Sequence, residues 1–215
     1  VESYDARFEY TFGDYGDLFA FSGFYKSIDD PIEALLVRDP LNAESGVSSA
    51  LYRTYFNNPN TADLWGIEME ARKTLNFLGS DFLENLSIGG NFTYIDAQVD
   101  RTEVEIERAQ RFFSTGTLDT EPPLFSSLSR SRRLFGQPEW IANGDISFDH
   151  PDWGTQMTVA VFAISDVLDA AGTAQVGRNG TTLNATLDRY FSSFYQVDVI
   201  FNQTWEPSFL KGTVA

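Results

Sequence analysis

Apolar and polar residues alternate over long stretches of this chain, a pattern typical of β-strands with one apolar and one polar face. In the first stretch Tyr4 and Phe8 share one face, while Arg7 and Glu9 share the other. The pattern predicts seven strands, and six of them are two-sided in this way. The predicted strands cover residues 4–12, 18–26, 64–75, 86–99, 139–149, 155–167 and 189–205, and residues 211–215 begin an eighth.

The connections between these predicted strands alternate between short and long. Long loops run from about residue 27 to at least 51, from 100 to 138 and from 168 to 188. Structureless loops of this length are uncommon in compact domains. Short turns at one end of an antiparallel sheet and long loops at the other are typical of transmembrane β-barrels. A soluble β-sandwich shares the alternation but gives no reason for the sorted loops.

Aromatic residues make up 15% of the chain, and they concentrate at two levels of the predicted sheet. Interfacial girdles of a membrane barrel have this placement. The short-turn end carries Phe12, Tyr15, Trp153 and Trp205, and the long-loop end carries Tyr25, Tyr52, Tyr55, Tyr94, Trp140 and Tyr190.

Composition excludes several classes of function. The net charge of −16 has the wrong sign for binding nucleic acid. The chain has no Cys and a single His, His150, so it lacks disulfides, thiolate zinc sites and multi-histidine metal sites. No run of eighteen apolar residues predicts a transmembrane helix. We therefore expect no cofactor and no metal site.

Four motifs, in order along the chain, resemble those of TonB-dependent outer-membrane receptors. Residues 24–33 read FYKSIDDPIE, and residues 55–70 contain YFN followed by WGIEME. Residues 91–97 read NFTYIDA, and residues 134–140 read LFGQPEW with Asn143 after them. Within these motifs, Pro31 would end strand pairing because it lacks a backbone donor, and Gly66 would mark a position where the backbone bends or packs closely.

The resemblance implies an all-β fold: a segment of an antiparallel up-and-down transmembrane β-barrel with short periplasmic turns and long extracellular loops. Residues 1–215 would form part of a barrel of about 22 strands, with the plug domain and terminal strands outside this chain. The whole protein would lie in the outer membrane of a Gram-negative bacterium. It would bind and import a scarce nutrient such as a ferric siderophore, haem, cobalamin, a glycan or a peptide.

The partners implied by the resemblance are outer-membrane lipid, the rest of the barrel and its plug, and an inner-membrane energy-coupling protein reached through the plug. The resemblance also implies an extracellular small ligand, and no nucleic acid is expected as a partner. Two other functions stay open on the sequence alone. One is a passive porin or secretion barrel, and the other is a soluble extracellular β-sandwich that binds glycans.

No catalytic constellation stands out, so we expect no enzymatic activity. Glu68 and Glu70 share a strand face, which would suit a pair of glycosidase carboxylates. We interpret them instead as lumen-facing polar residues, together with Arg72 and Asn91. His150 lies in a predicted turn and is interpreted as a solvated side chain.

The basic cluster at residues 126–133 supplies the candidate ligand-binding residues Arg130, Arg132 and Arg133, to which we add Trp140. Arginine forks match the oxygens of an anionic ligand or of lipopolysaccharide phosphate. The alternative is a mobile loop without a partner. Residues 100–111 carry mixed charge and are predicted to be a loop segment or a short helix.

Overall fold

The structure is a computed structural model that describes residues 1–13, 16–38, 51–80, 82–107, 129–176, 183–185 and 187–205. Its strands are β1 (Glu2–Phe12), β2 (Asp17–Ile28), β3 (Ile32–Arg38), β4 (Leu51–Asn57), β5 (Ala62–Thr74), β6 (Leu86–Asp100), β7 (Ser131–Arg133), β8 (Trp140–His150), β9 (Thr155–Ile164), β10 (Val167–Gly172), β11 (Ala174–Val176), β12 (Leu183–Ala185), β13 (Arg189–Phe191) and β14 (Phe194–Gln203). Short 3-10 helices span Leu75–Leu78, Leu83–Asn85 and Pro151–Trp153. None of the helices in the described ranges is both long and apolar enough to cross a membrane.

One large antiparallel sheet, the main sheet, contains the long strands in the order β1-β2-β5-β6-β8-β9-β14. The short strand β7 also pairs with β6, beyond the point where β8 begins. This confirms the prediction of an all-β, antiparallel up-and-down sheet. The sheet is not closed into a barrel among the described residues, since β1 and β14 each pair on one side only.

The predicted strands match the main sheet, but two of their boundaries were wrong. The predicted strand at residues 155–167 ends at Ile164, and Val167 already belongs to β10. The predicted strand at residues 189–205 begins at Phe194, because residues 189–191 form β13 and pair with β10. The predicted start of an eighth strand at residues 211–215 lies outside the described residues.

The register sorts the main sheet into an apolar face and a polar face. Rows of cross-strand partners on the apolar face include Phe8, Phe21, Met69, Phe92, Ala142 and Ala163. The corresponding rows on the polar face include Arg7, Ser22, Glu68 and Thr93, and next to them Glu9, Ala20, Glu70, Asn91 and Asn143. Because side chains alternate across a strand, each face repeats every second residue.

Gly66 is a point of close packing on the polar face. A Cβ atom there would collide with the ring of Phe24 and with the backbone oxygen of Tyr94. The sequence-based interpretation of Gly66 as a site of close packing is therefore confirmed.

The polar face becomes apolar toward the long-loop end, where loop residues cover it. Leu134, which follows β7, packs with four residues of β5 and β6. All five are buried: Ala62, Leu64, Ala97, Val99 and Leu134. The register places the four strand residues on the same face of the sheet as Glu68 and Asn91. The long-loop segments therefore fold over this face of the sheet.

Of the aromatic residues predicted at the long-loop end, Tyr25, Tyr94 and Trp140 lie on the apolar face of the main sheet. The Tyr25 hydroxyl donates to Asp63 at 2.7 Å. Tyr52, Tyr55 and Tyr190 instead belong to β4 and β13, outside the main sheet, so their placement in a girdle was wrong. They lie on strands that the pattern analysis had taken for loop. Tyr15 lies outside the described residues.

Candidate functional site

Three long connections meet at one end of the main sheet, and two of them build a second sheet, which we call the loop sheet. It has the strand order β13-β10-β3-β4. The connection between β2 and β5 supplies β3 and β4, and the connection between β9 and β14 supplies β10 and β13. Parallel pairing of Ala171 with Leu35 and of Gly172 with Leu36 joins the two halves. Connections rooted on opposite sides of β6 and β8 are thereby linked.

A buried ion pair fastens this sheet to the third connection, which runs from β6 to β8. The guanidinium of Arg132 forms a two-pronged pair with the carboxylate of Glu33, with Nη2 donating to Oε2 at 2.9 Å. The Arg132 side chain is 3% exposed and the Glu33 side chain 0%. Two parallel N–H···O bonds to a carboxylate fix both position and orientation.

Neighbouring groups supply further polar contacts to Glu33, while the buried Nε of Arg132 has no hydrogen-bond partner among the described residues. Asn58 is fully buried, and its Nδ2 donates to Glu33 Oε2 at 2.6 Å and to the backbone oxygen of Asp100 at 2.9 Å. Its own N–H donates to the backbone oxygen of Pro31 at 2.9 Å. Buried polar groups need such partners, because an unmet one is costly in a low-dielectric interior.

The second carboxylate beside Arg132 comes from a capped helical turn at residues 103–107. Thr102 Oγ1 accepts from Glu105 N at 3.2 Å, while Thr102 N donates to Glu105 Oε2 at 2.8 Å. This reciprocal arrangement is a capping box. The other Glu105 oxygen lies 3.3 Å from Arg132 Nη2. The predicted short helix is thus confirmed over residues 103–107, and residues 108–111 lie outside the described residues.

Burial raises the pKa of Glu33 above its ordinary value, against the opposing effects of Arg132 and Asn58. Removal from water disfavours the charged carboxylate, and here that effect is larger than the attraction of the guanidinium. Burial therefore penalises the charged form of Glu33, and the contacts with Arg132 and Asn58 offset part of that cost.

A second buried carboxylate, Asp169, organises the other half of the loop sheet. A register shift in the pairing of β10 with β13 falls between Leu168 and Ala170, which makes Asp169 the extra residue of a β-bulge. Asp169 is 1% exposed and pairs with Arg189 and, at 3.0 Å, with Arg53 Nη1. These two contacts tie β4 and β13 to β10.

Arg53 also contacts two aromatic rings. Its guanidinium carbon lies 5.2 Å from the ring centroids of both Tyr55 and Phe135. Phe135 packs on the apolar cluster of Ala34, Leu36 and Ala170. Tyr55 keeps more than half of its surface exposed, as does Tyr52, which strand alternation places on the opposite face of β4. An arginine in contact with two aromatic rings, one of them an exposed tyrosine, is a surface suited to recognition of a polar ligand.

The GQP motif forms an irregular connection between β7 and β8. Gly136 has a φ of 78°, and its N–H donates to the backbone oxygen of Leu168 at 3.0 Å. Pro138 forms an isolated bridge with Val167. Glycine adopts this backbone conformation without strain, so the motif can reach β10.

The predicted ligand-binding residues are not brought together. Arg130 is 74% exposed on its side chain and pairs with Glu103 at 3.0 Å, whereas Arg132 is buried as described. Arg133 pairs with Asp166 at 2.8 Å and lies in register with Gln98, on the opposite side from Arg132. Trp140 lies on the apolar face, next to Tyr94 in the register. Ligand contact by these four residues stays a prediction.

The residues predicted to face the lumen share the polar face. Arg7 Nη2 donates to Glu70 Oε2 at 2.9 Å, and Ser22 Oγ donates to Glu68 Oε2 at 3.1 Å. Asn143 Nδ2 donates to Asn91 Oδ1 at 2.8 Å. Arg72 lies in register with Leu18 and Gly89 on the same face. No group of three or more His, Asp or Glu side chains in the described ranges is arranged to hold a metal ion.

Sequence reasoning missed Glu33, Asn58, Asp169, Arg53 and Arg189 as organising residues. Glu33 lies inside the DPIE motif, which was interpreted as the end of a strand. A carboxylate between apolar neighbours in Ile32–Arg38 is the signal that could have revealed its burial. The partner, Arg132, is 99 residues away in the sequence, so no local pattern connects the two.

Comparison with known families settles the membership of the chain. The family model described as "TonB dependent receptor-like, beta-barrel" matches residues 1–213. The chain belongs to this family. A search of curated proteins finds no match to it. TonB-dependent receptors are outer-membrane receptors and transporters rather than enzymes, and they combine a barrel with a plug and TonB-coupled energy transduction.

Family membership indicates how the main sheet is oriented in the outer membrane. In transmembrane barrels the apolar face meets lipid, the polar face lines the interior, and the short turns are periplasmic. In the TonB-dependent receptor, the loop sheet therefore belongs to the extracellular end.

Proposed function

We propose that these 215 residues form one section of the wall, with its extracellular loops, of an energy-coupled importer of a scarce nutrient. The observation that carries the proposal is the way the loops fold over the polar face, where Leu134 packs against β5 and β6. A ligand that enters the barrel from outside passes this surface. Loops held over the lumen suit capture and release of a ligand better than an open pore does.

The rest of the barrel and its plug are proposed partners. The outermost strands β1 and β14 each have one edge without a partner among the described residues. Unpaired strand edges are not tolerated within lipid. Further strands of the same receptor would satisfy these edges, and an inner-membrane energy-coupling protein would act through the plug. The receptor would be located in the outer membrane of a Gram-negative bacterium.

The proposed ligand surface combines the arginine-aromatic group around Arg53 with the exposed Arg130. Ferric siderophores, haem, cobalamin, glycans and peptides are the candidate ligands, and all present polar or anionic groups with extended apolar or ring surfaces. Guanidinium groups would bind the anionic oxygens, and Tyr55 would pack on rings. Of the predicted arginines, Arg132 is proposed to position the loops rather than to touch the ligand.

Energy dependence tests the proposed function. Cells that depend on the intact receptor are supplied with each candidate nutrient as the sole source, and binding and uptake are measured with and without a protonophore. We expect the protonophore to stop uptake while surface binding continues. Uptake that continues after collapse of the proton gradient would instead indicate a passive pore.

Substitution of the arginines tests where the ligand binds. We expect Arg130→Ala and Tyr55→Ala to weaken binding of the imported nutrient while leaving the receptor folded. Asn143→Ala, on the polar face away from the loop sheet, is the matched control. If the triple substitution of Arg130, Arg132 and Arg133 by Ala leaves the affinity unchanged, the basic cluster has no role in ligand binding.

A further inference from the structure

The periplasmic turn between β5 and β6 exposes large apolar side chains. Phe77, Leu78 and Phe82 are 64%, 52% and 56% exposed. They flank or belong to the 3-10 helices Leu75–Leu78 and Leu83–Asn85, which replace a tight hairpin here. A turn surrounded by water has no reason to present three such side chains close together.

The turn folds back onto the apolar face of the sheet. The ring of Phe82 stacks on that of Phe148, with centroids 5.0 Å apart and planes 25° apart. The ring of Phe77 lies 5.3 Å from Lys73 Nζ. Phe148 is the cross-strand partner of Met157, and Lys73 is the partner of Ile88. Both side chains therefore lie on the apolar face. Phe77 and Phe82 therefore extend the lipid-facing surface.

The same surface continues onto the next periplasmic turn. Phe148 lies 6.3 Å from Trp153, which is 62% exposed and stacks on His150 at 4.1 Å. Aromatic residues favour the boundary between acyl chains and headgroups because they combine an apolar body with a polar or polarisable edge. The rings form one continuous band across two turns.

The only charged side chain next to Phe77 in the described contacts is already paired. Lys73 forms an ion pair with Asp17 and lies over the ring of Phe12 at 5.4 Å as well as over that of Phe77. A neutralised ammonium with an apolar stem can remain at the edge of a bilayer. Lys73 is therefore compatible with lipid around Phe77.

We propose that residues 75–80 and 82–85 form an interfacial wedge that inserts Phe77, Leu78 and Phe82 among the phospholipids of the periplasmic leaflet. The occupant is phospholipid because the wedge continues the lipid-facing surface without a break, through the contact of Phe82 with Phe148. Glu84, which is exposed on the same turn, remains in the aqueous phase. The proposal rests on the proposed function, since it requires the apolar face to lie in the outer membrane.

Spin-label depth measurement tests the wedge. The chain has no Cys, so a single introduced Cys is unique within it. The intact receptor carrying Phe77→Cys or Phe82→Cys is labelled with a nitroxide and reconstituted in phospholipid bilayers. Glu84→Cys is the matched aqueous control, and Val161→Cys, in the middle of the apolar face, is the lipid control. Collision rates with oxygen and with a water-soluble nickel complex are then compared.

We expect nickel collision at positions 77 and 82 to be several-fold lower than at position 84, with oxygen collision retained. Nickel collision as high as at position 84 would overturn the wedge, provided that position 161 is shielded from nickel. Nickel access at position 161 would instead overturn the proposed function. Low collision with both reagents at positions 77 and 82 would overturn the wedge and indicate a protein neighbour.

Phe77→Trp keeps an aromatic ring and serves if the labelled variants do not assemble. We expect the fluorescence that this variant adds to that of the parent receptor to be quenched by phospholipids brominated near the top of the acyl chains. Added fluorescence that these lipids do not quench would contradict the proposal.

Discussion

The main sheet and the loop sheet use ion pairs in opposite ways. On the polar face of the main sheet, Arg7 and Glu70 pair at 2.9 Å with side chains 44% and 43% exposed. At the base of the loop sheet, Arg132 and Glu33 pair with side chains 3% and 0% exposed. The two pairs join the same chemical groups, so the difference between them is the surrounding solvent.

The degree of burial decides what an ion pair contributes to the fold. An exposed pair gains little, because water screens the charges and competes for their hydrogen bonds. A buried pair contributes position more than net stability, but loss of one partner leaves an uncompensated charge in the interior. The polar face of the main sheet should therefore tolerate changes of charge, whereas the attachment of the loop sheet to the connection between β6 and β8 depends on Arg132.

The largest effect is expected from Arg132→Ala. Removal of one member of a buried pair costs about 3–5 kcal/mol. The loss should fall on the loops, because Arg132 joins the connection between β6 and β8 to Glu33 of the loop sheet. We expect hydrogen exchange to accelerate in β3, β4 and β10 while the long strands stay protected. Arg130→Ala, which removes an exposed neighbour, should leave the exchange pattern unchanged. Equal acceleration in both variants would contradict a special role for the buried pair.

A charge on the apolar face is the next largest test. We expect Val161→Arg to destabilise the receptor in bilayers by about 2–4 kcal/mol, the cost of an arginine facing lipid near the membrane centre. The matched control is Ala160→Arg, which places the same side chain on the polar face between Asp145 and Asp198. Urea unfolding in liposomes compares the two variants. If Ala160→Arg proves the more costly, the assignment of the faces is reversed.

The main sheet could be predicted from the sequence because its information is local. Alternation with a period of two identifies each strand and its faces, and antiparallel neighbours along the chain pair with each other. The two boundary errors, at Ile164 and at Phe194, occur where a strand of the main sheet is followed or preceded closely by one of the loop sheet. Both pieces are extended, so periodicity does not separate them.

The loop sheet could not be predicted because its information is not local. The parallel pairing of β3 with β10 joins residues more than a hundred positions apart. Nothing in the local sequence of either strand identifies so distant a partner. The arginines at residues 130–133 were grouped because they are neighbours in sequence. In the structure, strand alternation sends Arg132 and Arg133 to opposite sides of β7.

The raised pKa of Glu33 predicts a modest pH dependence of the loop sheet. A carboxyl whose pKa is higher in the folded state binds its proton more tightly there than in the opened state. Its stabilising contribution is present below the ordinary pKa and is lost as the pH rises through the raised pKa. We expect the protection of the β3 amides, measured as exchange relative to the intrinsic rate at each pH, to be higher at pH values below the ordinary carboxyl pKa than above the raised one. Glu33→Gln should remove this dependence, so a dependence that persists in the variant arises from another group.

The smallest effect is expected from Glu70→Gln on the polar face. The substitution keeps the shape of the side chain and removes its charge, and Arg7 retains Glu9 at 3.2 Å as a partner. Because both side chains are already hydrated, the unfolding midpoint should stay within experimental error at low and at high salt. Thr93→Ser, on the same face of β6, is a neutral control for the strand. A clear loss of stability that salt suppresses would show that the polar face is less hydrated than the exposure of this pair indicates. The exposed Arg7–Glu70 pair and the buried Arg132–Glu33 pair would then differ less in what they contribute to stability.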